Sequence, residues 1–327
     1  MTETNWQTDN TLCDLSHLGL LSLSGDDATT FLQGQVTNDV AQLNGNNAHY
    51  SAYCSPKGRM LALFLAFSHQ DKLYLQFSQP LIAPIMKRLK MFVMRSKVDI
   101  NDVSNDMMRF GVNGPNATDF VTKALGKVPK EDYALVAMTN DSKPYGAIIK
   151  LPNIKGHSRY EIIVDATQAP TTWDALNIDC TPVGQPCWDW LDIQTGCPDV
   201  LEKTQEQFVP QMLNLDVLNG INFKKGCYTG QEIVARTHYL GKVKRRTYLA
   251  TIKTAKEITV QPTEGDKVQD ATGSEVGQIV KVAPNLDNGF DALIEIRIEA
   301  KEAGNVLWNS APITFGELPY TITTEGQ

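Results

Sequence analysis

The sequence lacks several features that would indicate a membrane, a secretion route or a metal ribbon. No apolar run reaches the roughly 18 residues that a transmembrane helix needs. The first ten residues, MTETNWQTDN, have neither the basic start nor the apolar core of a secretory signal. No Cys-x-x-Cys pair occurs, which argues against zinc ribbons and thioredoxin-like redox pairs. We therefore expect a cytoplasmic protein with no membrane partner.

Positive charge is also in the minority. The chain has 30 Lys and Arg against 37 Asp and Glu, so its net charge is −7. This balance argues against a general nucleic-acid-binding protein. The six cysteines are scattered over 327 residues, and a disulfide framework is not expected. The length and the 42% apolar content predict a folded protein of two or three domains.

The first half of the chain contains an internal repeat. Residues 21–33, LSLSGDDATTFLQ, are similar to residues 109–122, RFGVNGPNATDFVT. Each copy predicts a strand, a glycine turn and an amphipathic helix, and further strand-like runs and a second helix follow. The repeat therefore predicts two α+β units in tandem, the second at roughly 107–180, each with helices on an antiparallel sheet.

The second half changes character twice. Residues 185–198, QPCWDWLDIQTGCP, predict a short helix that Gly196 and Pro198 end. From about residue 243, short strands between Gly, Asp and Asn turns predict a small barrel or sandwich. We place a domain boundary near Gly241, which divides the chain into a body over 1–240 and a C-terminal domain over 241–327.

One polar stretch, NFKKGCYTGQEIVAR (residues 222–236), surrounds a single cysteine. Thr229 and Glu232 have the spacing of a capping box, with Tyr228 placed to pack on Ile233 as a hydrophobic staple. Cys227 would then lie just outside a helix N-terminus, where partial positive charge gathers.

Lys224 and Lys225 add full charges near that thiol. Together with the helix end they favour the thiolate, the reactive form of cysteine. The alternative interpretation is an ordinary capped helix whose cysteine only packs.

Basic residues continue downstream of the cysteine. Between Lys224 and Arg246 there are seven Lys or Arg and one acid, so the segment carries +6 and the rest of the chain −7 − 6 = −13. Such asymmetry favours an anionic partner, which could be a polycarboxylate ligand, RNA or an acidic protein. A solvated basic hairpin is the alternative. His238 has no metal partner in the pattern, and we predict no metal site.

The stretch KKGCYTGQEIVAR is similar to the signature of the YgfZ family, relatives of the glycine-cleavage T-protein. The segments FLQGQVTNDV (31–40), CSPKGRM (54–60), FVMRSKVDI (92–100) and QFVPQMLNLDVLNGINF (207–223) resemble the same family in the same order. The resemblance implies an α+β fold class, with two ferredoxin-like units and a small C-terminal β-barrel around a central hole.

The same resemblance implies a function. The hole would bind a reduced folate such as tetrahydrofolate. The family supports certain iron–sulfur enzymes and, through them, tRNA modification, and it has been linked to the control of replication initiation. The motif cysteine, Cys227, is the residue on which family function is thought to depend, and it is the catalytic candidate.

Several positions bear on the folate site. The resemblance assigns Trp188 to folate, whereas Leu18 stands where a second tryptophan would stack on the ligand. Gln194 replaces the T-protein's pterin-binding glutamate. Five residues of the signature complete the predicted set: Lys225, Tyr228, Gln231, Glu232 and Arg236.

The T-protein's catalytic aspartate has no carboxylate counterpart here. In CSPKG the closest residue is Ser55, so aminomethyl transfer is not expected. The leading hypothesis is a folate-binding accessory protein that meets iron–sulfur proteins transiently and tRNA only indirectly or weakly. The alternatives are a folate-dependent one-carbon transferase with Cys227 as nucleophile, and a module that binds tRNA directly.

Overall fold

The structure is a computed structural model that describes residues 9–253 and 260–322. The chain clusters into two compact units. The first unit contains the chain up to Gly34, Asp39–His49 and Phe64–Trp188. The second contains Gln35–Asn38, Tyr50–Leu63 and the chain from Asp189 onwards. Within the described ranges no helix is long and apolar enough to cross a membrane.

The N-terminal elements build an antiparallel sheet with helices. They are β1 (Thr11–Asp14), β2 (Leu18–Ser24), α1 (Ala28–Gln33), β3 (Ala48–Cys54), β4 (Met60–His69), β5 (Lys72–Ser78), α2 (Ile82–Val93) and β6 (Asp99–Asp102). Five of the strands form one sheet in the order β3-β4-β5-β2-β6. Gly25, with φ of 109°, joins β2 to α1, as the first copy of the repeat predicts.

The second copy builds a similar sheet. Its elements are β7 (Met107–Gly114), α3 (Ala117–Leu125), β8 (Leu135–Asn140), β9 (Lys143–Ile154), β10 (His157–Asp165), α4 (Ala169–Asn177), β11 (Thr181–Val183) and α5 (Gln185–Gln194). The strand order is β11-β1-β7-β10-β9-β8, so the N-terminal strand β1 is inserted beside β7. Helices α3 and α4 pack on one face, where Val121 and Leu176 join a core with Val112 and Ile162.

The C-terminal elements form a closed barrel after one more helix. They are α6 (Gln231–Tyr239), β12 (Arg245–Ile252), β13 (Lys267–Gln269), β14 (Glu275–Pro284), β15 (Phe290–Arg297), α7 (Ile298–Ala303), β16 (Leu307–Trp308) and β17 (Ala311–Phe315). The closed order is β12-β15-β14-β13-β16-β17, around a core that includes Trp308 and Ile294. The α+β class with a terminal barrel is confirmed.

A buried ion cluster ties α5 to the barrel within the second unit. The ammonium of Lys281, on β14, lies 2.7 Å from Asp192 and 3.1 Å from Asp189. Burial lowers the pKa of Lys281, but Asp192, Asp189 and Asp199 together raise it well above its ordinary value. Burial also raises the pKa of Asp199 to about 7. Lys281 lowers this pKa by attraction, whereas Asp192 and Asp189 raise it by repulsion. One ammonium therefore faces three carboxyl groups, and one of them, Asp199, keeps its proton up to near-neutral pH.

The Asp199→Asn variant should change the pH dependence of stability. The folded pKa of Asp199, about 7, lies above the roughly 3.9 of an unfolded aspartate. The folded state therefore binds this proton more tightly, and this group's contribution to the free energy of unfolding falls as pH rises from about 4 to 7. Urea unfolding at pH 5 and pH 8 measures the free energy of unfolding of both proteins. The value for the variant minus that for wild type should be larger at pH 8 than at pH 5.

The exposed Asp99 provides the control. The Asp99→Asn variant should differ from wild type by the same small amount at both pH values. An equal effect of Asp199→Asn at pH 5 and pH 8 would contradict the assignment.

Candidate functional site

Two glycine-containing motifs meet within the second unit. In CSPKG, the Gly58 N–H donates to the Ser55 carbonyl at 2.8 Å, which closes a four-residue turn. A Cβ added to Gly230 would lie 2.5 Å from the Ser55 carbonyl oxygen and 3.0 Å from the Gly58 Cα. A Cβ added to Gly58 would lie 2.8 Å from the Cβ of Ile233. The turn therefore packs on the start of α6 with no room for a side chain at either glycine.

This contact decides where α6 begins. Gly230 is the N-cap, with φ of 84°, and no side chain caps the helix. The predicted capping box of Thr229 and Glu232 is therefore wrong, as is the placement of Tyr228 for a hydrophobic staple. A glycine in the left-handed region allows the close approach, and it moves the helix start one residue beyond the predicted one. Glu232 is exposed instead of folded back on the chain.

The segment before Cys227 is anchored by side-chain to backbone bonds. The Asn222 Oδ1 accepts the N–H groups of Lys224 at 2.9 Å and Lys225 at 3.1 Å. The Lys225 Nζ donates to the Val36 carbonyl at 2.6 Å and lies 5.1 Å from the centre of the Tyr228 ring. The Lys225 ammonium thus helps to anchor the loop.

Tyr228 is a buried neighbour of the cysteine. Its side chain is 8% exposed. Burial, with a smaller contribution from Cys54, raises the pKa of its phenol, which therefore stays protonated at neutral pH. Asn222 on one side and Gly230 on the other fix the short segment that carries Cys227.

Cys227 differs from the other cysteines in accessibility. All six lie in described residues and none forms a disulfide, and Cys227 alone is exposed. Burial raises the pKa of the Cys54 and Cys187 thiols to about 12 and that of Cys180 to about 11. These buried thiols remain protonated and poorly reactive. Cys227 is therefore the thiol most open to a solute or a partner protein.

The basic stretch presents less charge than its sequence suggests. Arg245 forms a two-bond ion pair with Glu295, and Arg246 pairs with Asp216 at 2.6 and 2.9 Å. Arg246 is only 3% exposed. The exposed cations of the stretch are Lys224, Arg236, Lys242 and Lys244. Carboxylates that are distant in sequence neutralise the two arginines that begin β12.

The outward side of α6 carries the remaining predicted residues. Glu232 and Arg236, one turn apart, line a shallow surface depression of about 470 Å³. Gln231 is half-buried in the first turn of the helix. His238 stacks on Phe223, with ring centres 3.7 Å apart. The described residues contain no group of three or more His, Cys, Asp or Glu side chains placed to hold a metal ion.

Trp188 belongs to the first unit and is 2% exposed. Its ring covers Gly111 of β7, where a Cβ would lie 2.3 Å from the indole Cζ3. The guanidinium carbon of Arg159, on β10, lies 4.4 Å from the ring centre, a cation–π contact. The sequence alone did not indicate Gly111 or Arg159. Arg159 begins the strand-like run RYEIIV, and a charged residue in such a run is typical of a buried side chain with a partner.

Leu18 and Gln194 each have a partner that the sequence did not reveal. Leu18 begins β2 in the first unit, and its carbonyl accepts a bond from Arg109 at 2.6 Å. In the second unit, Gln194 Nε2 donates to Asp291 at 3.0 Å, beside the Trp190 indole N–H at 2.8 Å. A glutamate at 194 would set a second carboxylate against Asp291. The amide is thus the group that suits this position.

The structure therefore groups most of the predicted site residues in one unit. Cys227 and its five signature neighbours form one segment of the second unit, which also contains Gln194. Trp188 and Leu18 belong to the first unit.

Comparison with known proteins agrees with this fold and these motifs. The family described as the GCVT N-terminal domain matches residues 4–224. The tRNA-modifying protein YgfZ of Colwellia psychrerythraea is 33% identical over 237 residues, which cover 72% of this chain and 70% of the relative. The protein of the same name from Yersinia enterocolitica is 28% identical over 96% of this chain and 94% of its own length.

A solved structure shares the fold. The glycine cleavage system aminomethyltransferase T from Bartonella henselae superposes with a TM-score of 0.73 over 95% of this chain and 86% of its own. Its sequence identity is 15%, so the likeness concerns the fold alone. The predicted T-protein-like fold is confirmed.

The packing of the two motifs predicts unequal effects of two glycine substitutions. Gly230→Ala should lower the free energy of unfolding by about 2–4 kcal/mol, because the alanine takes a left-handed backbone and its Cβ meets the Ser55 carbonyl. Gly226→Ala is the matched control, since nothing lies within 4 Å of a Cβ there. It should change stability by less than about 1 kcal/mol.

Urea unfolding followed by circular dichroism measures both changes. Equal stability of the two variants would show that the turn and the helix start are not in the described contact.

Proposed function

Because the chain belongs to the family of the tRNA-modifying protein YgfZ, we propose that it is a folate-binding accessory protein for iron–sulfur enzymes. Through those enzymes it would support tRNA modification. The observation that carries the proposal is the single exposed cysteine, Cys227, on a segment anchored on both sides. Cys227 is the proposed working residue.

The setting of Cys227 suits reaction with a partner protein. A thiolate is both the nucleophilic and the metal-binding form of cysteine. An exposed thiol on a firmly held loop can reach a sulfur species or a cluster iron on another protein's surface. An enclosed catalytic site would instead surround its nucleophile and exclude water. Exposure therefore favours a transient accessory role.

The proposed cofactor is a reduced folate, with tetrahydrofolate as the reference compound. The family resemblance assigns Trp188, Leu18 and Gln194 to the ring system. Because the Trp188 ring packs on Gly111 and against Arg159 and is 2% exposed, it would be a fixed part of the site and not a mobile stacking surface.

The signature residues would serve the rest of the ligand. Arg236 and Lys224 are exposed cations that attract the carboxylates of a folate tail. Tyr228 and Lys225 would shape the loop beside it, and Gln231 and Glu232 would contribute polar contacts. Reaction at a one-carbon unit with Cys227 as nucleophile is the second candidate function, and the accessible thiol supports it as well.

Aminomethyl transfer is not part of the proposal. Ser55 stands where the T-protein resemblance places a catalytic aspartate. Its hydroxyl is buried and, within the described residues, has no hydrogen-bond partner. A hydroxyl cannot act as the anionic base that a carboxylate provides at neutral pH.

The role of Cys227 predicts a separation of folding, binding and function. Cys227→Ser should fold and bind tetrahydrofolate like wild type, as measured by calorimetry. In cells that lack the native protein, it should fail to restore the tRNA nucleosides made by iron–sulfur enzymes, as measured by mass spectrometry. The loss expected is tenfold or more, because a serine hydroxyl is a far weaker nucleophile and metal ligand than a cysteine sulfur.

Cys197→Ser is the control, since Cys197 is half-buried and lies outside the signature. It should restore the modified nucleosides fully. Full restoration by Cys227→Ser would remove the cysteine from the mechanism. Failure of the wild-type protein to bind tetrahydrofolate would contradict the proposed folate cofactor.

A further inference from the structure

The outer face of α2 is a surface in the first unit that the proposed function does not use. The helix buries Ile82, Ile85 and Leu89 on its inner face. Its outer face places Lys87, Lys90 and Met91 at positions i, i+3 and i+4, and Met94 follows directly after the last helical residue. The side chains of Met91 and Met94 are 70% and 88% exposed, and Phe92 beside them is 46% exposed. Three large apolar side chains are thus exposed within four residues at the end of one helix.

The same segment is strongly basic. Residues 82–97 contain five Lys or Arg and no acid, so they carry +5 and the rest of the chain −7 − 5 = −12. Lys97 forms an exposed ion pair with Asp26 at 3.1 Å. Lys87, Lys90 and Arg95 form no ion pair within the described residues. The apolar side chains are therefore bordered by unneutralised cations.

The backbone at the end of α2 is strained. Met94 has φ of 46° and ψ of −101°, a conformation that residues other than glycine rarely adopt. Holding a methionine there costs about 1–3 kcal/mol. Its exposed side chain gains little packing in return. Strain and apolar exposure at the same residue point to a contact made with another molecule.

We propose that this surface docks an acidic protein segment that carries apolar side chains. The surface, called the Met–Lys patch, consists of Lys87, Lys90, Met91, Phe92, Met94 and Arg95. Glutamates or aspartates of the partner would pair with the cations, and its leucine or phenylalanine side chains would cover the two methionines. The inference is independent of folate and of Cys227.

The composition of the Met–Lys patch favours protein over RNA. Sequence-tolerant RNA binding uses aromatic platforms interleaved with many cations, whereas the patch has one aromatic ring and three unneutralised cations. Flexible methionines instead adapt to varied apolar side chains and recur on surfaces that bind helical peptides.

Methionine methyl resonances provide a direct test, with protein labelled at the methionine ¹³C-methyl groups. The probe is a 16-residue peptide with glutamates along one helical face and leucines along the other. It should shift the Met91 and Met94 resonances and leave the buried Met60, Met107 and Met138 resonances in place. The affinity should fall steeply with added salt, because the cations contribute to it.

Matched variants separate the two parts of the surface. Lys87→Glu with Lys90→Glu, and separately Met91→Ser with Met94→Ser, should each weaken the peptide tenfold or more. Leu286→Ser, which alters an exposed apolar side chain of the other unit, should leave the affinity unchanged.

Three outcomes would overturn the proposal. The first is no shift of Met91 or Met94 at millimolar peptide. The second is a shift produced by tRNA or by vesicles of anionic phospholipid but not by the peptide. The third is a shift that depends only on protein concentration, which would identify a second copy of the chain as the occupant.

Discussion

The close approach of two backbones, the Ser55–Gly58 turn and the start of α6 at Gly230, is the constraint on which the site depends. No side chain fits between them, so both Gly58 and Gly230 must remain glycines. Gly230 also takes a left-handed φ and replaces a conventional cap. The helix consequently starts one residue late, and the segment before it carries Cys227 to the surface.

The anchored segment gives the thiol a defined place without enclosing it. Asn222 and Lys225 hold its first part through backbone groups, and Gly230 holds its end. Burial meanwhile keeps the thiols of Cys54, Cys180 and Cys187 protonated. Among six cysteines the fold therefore exposes one, and this selectivity is what the proposed accessory function requires.

The sequence predicted regular structure better than it predicted the site. Periodicity found both strand–turn–helix copies and the barrel strands, because those patterns depend on neighbours along the chain. The capping box at Thr229 failed because a tertiary contact with Gly58 outweighed a local preference worth about 1 kcal/mol. The charge of the basic stretch was overestimated because Glu295 and Asp216 lie far from Arg245 and Arg246 in sequence.

The same reason explains what was missed around the proposed folate residues. The Gln194–Asp291 bond joins α5 to the barrel, and Trp188 of α5 packs on Gly111 and Arg159 of two neighbouring strands. None of these pairs is visible in local spacing. Resemblance to a family identified the positions, and only the fold shows why glutamine suits position 194 and why the Trp188 ring is fixed.

The most direct test of the account is the rate at which each cysteine of the native protein reacts with iodoacetamide. Mass spectrometry of peptides resolves the six sites after timed alkylation near neutral pH. The account predicts that Cys227 reacts first, and that Cys54, Cys180 and Cys187 react only when urea unfolds the chain. Alkylation of any of these three as fast as Cys227 in the folded protein would contradict it.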